Sequence, residues 1–265
     1  EKVEDLRRAI RDFALRGRLT KQVSSERSGR SLLTKIEGHR TEQIRLKRSR
    51  RVVLPDSIES TDEPFPIPPN WAWSRLGHLC WKVADGPHFS PSYVAKELGV
   101  PFLSGRNIKV EGFDLTNVEY VSKDDHDSFC SRTKPEPGDV LYTKGGTTGI
   151  ALVNTLDFEF SVWVHVAVLK VAQDLVVPAY VAMALNSPHC YAQSQTLTHG
   201  IGNRDLGLTR MVQISLPLPP FEEQSRIVTQ VEHMLKICDL LENRLRQAEE
   251  LAAKFAESVV RGVTA

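Results

Sequence analysis

The sequence predicts an α/β fold of the α+β kind, in which a mixed, curled β-sheet forms the body and a long antiparallel coiled-coil helix forms an arm. Short apolar runs separated by Gly, Pro, Asn and Asp fill residues 71–218, which is typical of strands joined by turns. Residues 221–261 contain no Gly or Pro, and their apolar residues recur at helical spacing. No strand–helix–strand repeat is regular enough for a doubly wound sheet. We therefore expect three regions, residues 1–54, 55–220 and 221–265.

Composition and charge exclude few functional classes. The chain has 265 residues, of which 41% are hydrophobic and 25% charged, and its formal net charge is +1. Lys and Arg far outnumber Asp and Glu in residues 1–51, so a basic arm precedes a mildly acidic body. That balance alone does not indicate a DNA-binding protein. No apolar run approaches the roughly 18 residues of a membrane span and no signal peptide is recognised, so a cytoplasmic location is expected.

The N-terminal region predicts two helices followed by linkers. A three-four rhythm of apolar residues predicts a first helix, ending at Gly17, from Val3, Leu6, Ile10 and Phe13. A second helix is expected over residues 31–45. The basic cluster at residues 47–51 is interpreted as a solvated linker rather than a phosphate-contacting patch, because no aromatic residue is interleaved. Proline and acidic residues mark residues 55–69 as a further linker.

The body is predicted from apolar runs and the loops between them. Strands are expected at residues 100–103, 118–121, 140–143, 150–153 and 163–171, and a helix at residues 179–186. Three polar loops carry glycines, and all are expected at strand ends: residues 85–91 continuing to 101–108, residues 143–149, and residues 198–204. Four isolated cysteines predict free, buried thiols. Asp124, Asp125 and Asp127 beside His126 are interpreted as solvated loop residues rather than metal ligands.

The loops contain the residue types that groove recognition of DNA requires. Glycines let backbone N–H groups approach a phosphate closely, and Lys144 supplies a point charge. Forked donors suit the edges of guanine and adenine, and the loops offer Arg106, Asn107, Asn203 and Arg204. The run G-G-T-T-G at residues 145–149 is also typical of an ordinary hairpin turn. Both interpretations stay open at the level of sequence.

The C-terminal helix is expected to start after a proline run. Pro217, Pro219 and Pro220 hold the chain extended and exclude a helix before Phe221, and Gly262 is expected to end it. At about 1.5 Å per residue the helix would be roughly 60 Å long, so it must leave the body.

The apolar residues of this helix form what we call the seam. Spacings of four and three alternate along it, through Ile227, Val231, Met234, Cys238, Leu241, Leu245, Ala248, Ala252, Phe255 and Val259. This stripe favours a partner helix over burial against the helix's own domain. The partner is expected to be a second chain or the first helix, packed antiparallel through Leu6, Ile10 and Phe13.

Several motifs resemble those of type I restriction-modification specificity subunits. The run L-P-L-P-P-F-E-E-Q-S-R-I-V at residues 216–228 is similar to the proline-rich junction that precedes the long helix of that family. The pattern P-x-x-W-x-W-x-x-L-G at residues 68–77 is similar to the start of a target recognition domain. D-G-x-H-x-x-P at residues 85–91, R-N-I at residues 106–108 and a glycine-rich strand–loop–strand follow in the family's order. Together the resemblance covers most of residues 3–262.

The resemblance implies a function and partners. In that family a target recognition domain reads double-stranded DNA, and long helical regions hold two such domains apart and dock methyltransferase subunits. The chain is therefore expected to be a non-catalytic subunit, or half of one, that recognises half of a bipartite target. Methyl transfer from S-adenosylmethionine and ATP-driven steps would belong to partner subunits, the restriction subunit among them. Only one recognition domain is seen, so the chain is either a fragment or pairs with a second copy.

Chemistry and resemblance together give the candidate DNA-binding residues. They are His88, Ser90, Ser104, Arg106, Asn107, Lys109, Lys144, Gly145, Gly146, Thr147, Thr148, His199, Asn203 and Arg204. The alternative is a glycine-loop enzyme that acts on a phosphorylated small molecule and dimerises through the long helix. A P-loop, an N-P-P-Y methyltransferase motif, a G-x-S-x-G elbow and a zincin pair are all missing from the sequence. No catalytic residue and no metal ligand is assigned.

Overall fold

The computed structural model describes residues 2–50, 53–59, 61, 63–200 and 204–264, with side chains as far as residue 257. The helices are α1 (Lys2–Leu15), α2 (Gly29–Arg45), α3 (Leu76–Leu79), α4 (Lys123–Arg132), α5 (Pro178–Leu185), α6 (Pro188–Leu197), α7 (Leu208–Met211) and α8 (Phe221–Thr264). The strands are β1 (Ala72–Arg75), β2 (Cys80–Asp85), β3 (Val100–Leu103), β4 (Ile108–Lys109), β5 (Gly112–Phe113), β6 (Glu119–Val121), β7 (Val140–Thr143), β8 (Ala151–Val153), β9 (Ser161–Val162), β10 (Val166–Val171) and β11 (Ser215–Leu218).

The centre of the fold is an antiparallel sheet with the strand order β2-β10-β7-β8. Strand β10 is apolar at consecutive positions because both faces of the sheet are covered. Ala167 and Leu169 belong to the main core, whereas Val166 and Val168 belong to a second cluster on the opposite face. Strand β10 thus contributes side chains to a separate hydrophobic cluster on each face of the sheet.

The remaining strands form smaller sheets around this centre. Strand β3 pairs with β6 antiparallel and with β9 parallel, and β1–β11 and β4–β5 form antiparallel pairs. The mixed α/β body expected from the sequence is confirmed. No described helix is long and apolar enough to cross a membrane.

Most of the expected strands are present. The expected strands at residues 100–103 and 140–143 coincide with β3 and β7, and the expected helix at residues 179–186 is α5. The run at residues 163–171 begins as a strand only at Val166, because Val166 N donates to Trp163 O and closes a turn. The apolar pattern alone could not place that turn.

The sequence analysis did not expect the two short helices α3 and α7 or the two longer helices α4 and α6. Residues Asp124, Asp125 and Asp127 lie in α4, and so the prediction of a loop there is wrong. The Ser122 side chain accepts a hydrogen bond from Asp125 N and starts that helix. Helix α6 begins in the same way, with Ser187 accepting from Cys190 N. Among the described residues, no group of three acidic, histidine or cysteine side chains could hold a metal ion.

The expected linker at residues 55–69 is partly packed into the main core. Phe65 is buried and meets Trp73 edge-on, with ring centroids 4.8 Å apart, and Arg16 lies 4.2 Å above the Phe65 ring. Trp71 is buried as well, so the tryptophans fill the interior beneath α1. Phe65 therefore anchors this proline-rich stretch to the core, because full burial of an aromatic side chain stabilises the folded state by about 2 kcal/mol.

The proline junction fixes the start of α8. The Glu223 side chain is fully buried and accepts hydrogen bonds from Trp71 Nε1 at 2.8 Å and Thr20 Oγ1 at 2.7 Å. Gln224 is equally buried; its amide donates to Pro219 O at 3.1 Å and accepts from Val177 N at 2.8 Å. The P-P-x-E-E-Q run is thus a structural junction that ties α8 to the domain and to the N-terminal segment.

Helices α1 and α8 lie antiparallel over the first part of α8. Thr20 contacts Glu223, near the start of α8, while Arg7 Nη2 lies 2.7 Å from both Asp239 and Glu242. The contact between the two helices therefore ends near Glu242, after about six of the roughly twelve turns of α8.

Burial of the seam ends where α8 passes the N-terminal end of α1. Ile227, Val231 and Cys238 are buried and Met234 is half-buried, but the seam residues from there to residue 257 are exposed, namely Leu241, Leu245, Ala248, Ala252 and Phe255. On α1, Ile10 is buried whereas Leu6 and Phe13 are exposed, so Ile10 alone of the three expected contacts is covered. The side chain of Val259 lies outside the description. Helix α8 continues to Thr264, so Gly262 does not end it, contrary to the expectation.

Candidate nucleic-acid interface

The first loop is built around a buried carboxylate at the end of β2. Asp85 is 2% exposed, and three side chains surround its carboxylate: Arg132, Lys144 at 3.4 Å and His88 at 3.2 Å. Arg132 Nε also donates to the Asp85 carbonyl at 3.0 Å. The next residue must be glycine, because a Cβ on Gly86 would lie 1.8 Å from Val162 O. Asp85 therefore holds the first loop against β9 and α4.

The second loop is the turn of the β7–β8 hairpin, so the hairpin interpretation of residues 145–149 is correct. Lys144 is 3% exposed and its ammonium lies 2.9 Å from Asp205 as well as 3.4 Å from Asp85. This burial argues against the expected phosphate contact, because the charge of Lys144 is already paired with two carboxylates that belong to the other loops. At the tip, Gly146 has φ +69° and is open to solvent.

The third loop follows α6, not a strand as expected, and joins the other two. His199 and Asp205 exchange backbone hydrogen bonds of 3.1 and 2.9 Å, and Leu206 N donates to Lys144 O at 2.7 Å. An additional bridge links Gly145 to Asp205. Arg204 is exposed at this junction, while Asn203 lies outside the described residues. The three loops therefore converge on the Asp85–Lys144–Asp205 ion pairs.

Arg106 and Asn107 have different environments although they are adjacent. Asn107 is 2% exposed; its side-chain oxygen accepts from Ser104 N at 2.9 Å, and its amide donates to Asp114 O at 2.9 Å. All of its hydrogen-bonding capacity is used within the loop, which argues against a base-reading role. The Arg106 side chain is 58% exposed and is oriented by Glu119 at 3.0 Å. Arg106 is thus the forked donor that remains available.

A cavity of about 480 Å³ lies between the first and second loops, and it contains residues that the sequence analysis missed. Tyr93, Trp163 and His165 line it together with Arg106. Burial lowers the pKa of His165, and the charge of Lys144 lowers it further. The ring is therefore neutral at neutral pH. Among the described residues, Trp163 Nε1 is buried with no hydrogen-bond partner. The W-x-H spacing immediately before the apolar run of β10 was a signal for these two side chains.

The candidate residues divide by exposure. Exposed ones are His88, Ser90, Arg106, Lys109, Gly146, Thr147, His199 and Arg204, with Ser104 half-buried. Buried ones are Asn107, Lys144, Gly145 and Thr148. A Cβ on Gly145 would lie 2.4 Å from His165, so that glycine permits close packing of the loop against the His165 ring. Only the exposed set can touch a ligand without rearrangement.

The loops converge at one end of the central antiparallel sheet, and a buried junction ties this domain to a long helix. This is the arrangement of a recognition domain with an attached helix. The family model for the type I restriction modification DNA specificity domain matches residues 68–250. The chain belongs to that family, which confirms the resemblance seen in the sequence.

Known relatives are similar over nearly the whole chain. The specificity subunit of the type I restriction enzyme EcoEI of Escherichia coli is 20% identical over 273 residues, covering 97% of this chain and 44% of that protein. The EcoAI specificity subunit of Escherichia coli is 21% identical, covering 99% of this chain and 44% of that protein. The chain thus spans about half the length of the relatives it matches.

Two solved structures share the fold. A chain of a type I R-M system superposes with a TM-score of 0.55 at 20% identity, covering 94% of this chain and 53% of that one. The HsdS subunit from Thermoanaerobacter tengcongensis superposes with a TM-score of 0.52 at 19% identity, covering 92% of this chain and 51% of that one. These comparisons do not support the alternative of a glycine-loop enzyme, and the burial of Lys144 removes the cation such an enzyme would present.

Proposed function

We propose that the chain is a DNA-recognition module of a type I restriction-modification specificity subunit, reading half of a bipartite target. The observation that carries the proposal is the convergence of three loops on the Asp85–Lys144–Asp205 ion pairs. This arrangement fixes the loop backbones while leaving Arg106 and Thr147 exposed at one end of the sheet. A preorganised set of polar tips is what groove readout requires.

Arg106 is the residue we assign to base reading. Its guanidinium fork matches guanine O6 and N7, and Glu119 holds it without covering it. The module has no catalysis of its own in this proposal. Methyl transfer from S-adenosylmethionine and any ATP-driven step belong to partner subunits, which the helices dock.

The test replaces Arg106 by lysine and, separately, by alanine. A duplex is first selected from a random pool by the parent chain, and affinities are then measured for its single-base variants. Lys keeps the charge but not the fork, so Arg106→Lys is expected to lose about 1–3 kcal/mol on the selected duplex and little on random DNA. A lysine variant that keeps the parent's full base preference would contradict base reading, and a parent that binds no duplex would contradict the function.

We also propose that the exposed part of the seam is a helix-docking surface. A second copy of the chain, a second recognition half or a methyltransferase helix would cover Leu241 and Leu245, which are 42% and 47% exposed. The helical periodicity continues unchanged into this part, which supports a coiled-coil partner.

This proposal is tested with the double variant Leu241→Asp and Leu245→Asp. Buried unpaired charge costs several kcal/mol, about 3–5, so association with the second copy or with methyltransferase subunits should be abolished. Leu240→Asp is the matched control, because Leu240 is exposed but lies off the seam. Mass measured by light scattering, alone and with the subunits, decides it: equal association of the double variant and the parent would show that the seam is not an interface.

A further inference from the structure

A second concave surface lies along the outer edge of strand β2, and we call it the edge groove. Its volume is about 860 Å³. Strand β2 is the last strand of the four-stranded sheet, so the groove runs beside a strand edge. Cations line it from three separate segments of the chain: Lys47, Arg48, Arg50, Lys82 and Arg132.

The edge groove carries an excess of positive charge along its lining. None of its described lining residues is an aspartate or a glutamate. Among the described residues, Lys47, Arg48 and Arg50 have no carboxylate within ion-pair distance. By contrast, Arg8, Arg16 and Arg45 each pair with a carboxylate three or four residues away. Burial and the charge of Lys170 lower the pKa of Lys82, Glu136 and Asp139 raise it, and the charge of Arg50 lowers it. Arg50 and Lys82 therefore lie close enough to repel one another. A polyanion would relieve that repulsion.

The basic segment that follows α2 is held in place and is not a loose linker. Ser49 Oγ donates to Trp81 O of β2 at 2.9 Å. The buried Arg40 side chain donates to the carbonyls of Cys80 and Gly77, both at 3.1 Å, which fixes the end of α2 on the same edge. An aromatic side chain, Trp81, thus lies in the groove, although none is interleaved in the sequence.

Lys47 occupies a backbone conformation that normally selects glycine. Its φ is +57°, and the 2.9 Å bond from Arg48 N to Gln43 O closes the helix end in the manner usual for a glycine C-cap. A side chain in this region is disfavoured by about 1 kcal/mol. Lys47 lines the edge groove, so a residue with a local backbone cost stands at this cationic surface.

The edge groove is continuous with the recognition loops. Arg132 lines the groove and also holds the Asp85 carboxylate and carbonyl at the base of the first loop. Thr209 and Leu208, which follow the third loop, line it as well. A linear polyanion that reaches the loops can therefore continue along β2.

We propose that the edge groove binds the sugar–phosphate backbone of duplex DNA outside the bases that the loops read, with Lys47, Arg48 and Arg50 as phosphate contacts. This inference rests on the proposed function and extends its footprint. Phosphate contacts of this kind position a protein on DNA and carry no sequence information. They also give each contact a measurable signature in the salt dependence of binding.

The experiment compares the parent with the triple variant Lys47→Gly, Arg48→Gln and Arg50→Gln on random and on selected duplex DNA. Each lost phosphate contact is expected to lower the slope of log affinity against log salt by about 0.9, and so the triple variant should lose between about two and three units of slope. Its order of preference among single-base variants should be unchanged. A slope equal to that of the parent would overturn the proposal.

Two controls separate folding and charge from the contact itself. The single change Lys47→Gly suits the φ of +57°, so its Tm should be no lower than that of the parent while its slope falls by about 0.9. Arg50→Lys keeps the charge and should keep the slope. If Lys47→Gly keeps the slope as well, Lys47 is not a contact and the proposal fails.

The outcomes also distinguish this inference from the proposed function. A parent with a base preference and a triple variant with an unchanged slope would overturn the edge groove alone. A reduced slope with no base preference in the parent would support the groove and remove the recognition function. If polyglutamate competes with DNA for the parent but not for the triple variant, and the salt slope on DNA is unchanged, the groove binds an acidic protein instead and the proposal is wrong.

Discussion

The two parts of helix α8 share one sequence pattern and differ in everything that surrounds them. In the part up to Cys238 the seam residues are buried against α1 and the main core, and in the part from Asp239 to residue 257 every described side chain is exposed. The difference shows that heptad periodicity specifies a helix with an apolar stripe but not what covers the stripe. In the first part, that cover is made by this chain, and so stability there does not depend on a partner.

The largest expected effect comes from matched truncations in the two parts. Ile227 is fully buried, so Ile227→Ala should lower the free energy of unfolding by about 2–5 kcal/mol. Leu245 is 47% exposed, so Leu245→Ala should change it by no more than about 0.5 kcal/mol in the monomer. Urea unfolding at low protein concentration measures both. Equal costs would mean that the second part is already covered in solution.

A smaller effect is expected where α8 begins. Glu223→Ala leaves the Trp71, Thr20 and Gln22 donors without their acceptor, which should cost about 1–3 kcal/mol. Its neighbour Glu222 is exposed and serves as the control, since Glu222→Ala should stay within about 0.5 kcal/mol. Similar melting temperatures for the two variants would show that the buried acceptor does not hold the junction.

The smallest effect should come from the boundary between the two parts. Arg7 bridges Asp239 and Glu242, but both carboxylates are more than half exposed, so solvent screens the pair. Arg7→Ala is expected to cost less than about 1 kcal/mol, and the difference from the parent should shrink when salt is raised. A larger cost that is independent of salt would indicate that the aliphatic part of Arg7, and not its charge, holds the helices together.

Local signals in the sequence were sufficient for the elements they define. Apolar runs bounded by turn residues gave β3 and β7 with correct bounds, and the prolines before Phe221 gave the start of α8. Strand β11 was missed because it contains Pro217, which a strand accepts only in a position such as this two-stranded pair. Helix α4 was missed because its sequence is largely polar, although its Ser122 cap was visible.

The candidate site was predictable in its parts and not in its arrangement. The glycine loops could be recognised, and their residue types suggested DNA. The burial of Lys144 depends on Asp85 and Asp205, which lie far from it in the sequence. The different environments of Arg106, which is exposed, and Asn107, which is buried, likewise depend on contacts with Glu119 and Asp114. Tertiary contacts of this kind leave no local pattern, so the sequence could not separate residues that support the loops from residues that face a ligand.

The buried Glu223 junction has a mechanical consequence. A helix of 44 residues is about 66 Å long, so a tilt of about 5° at its root would move its far end by about 6 Å. Successive phosphates of one DNA strand are about 3.4 Å apart along the axis, so that error would exceed one base-pair step. The hydrogen bonds of Glu223 and Gln224 thus hold the start of α8 at a fixed angle to the domain. They set how accurately anything carried at the tip of α8 is aligned with the loops.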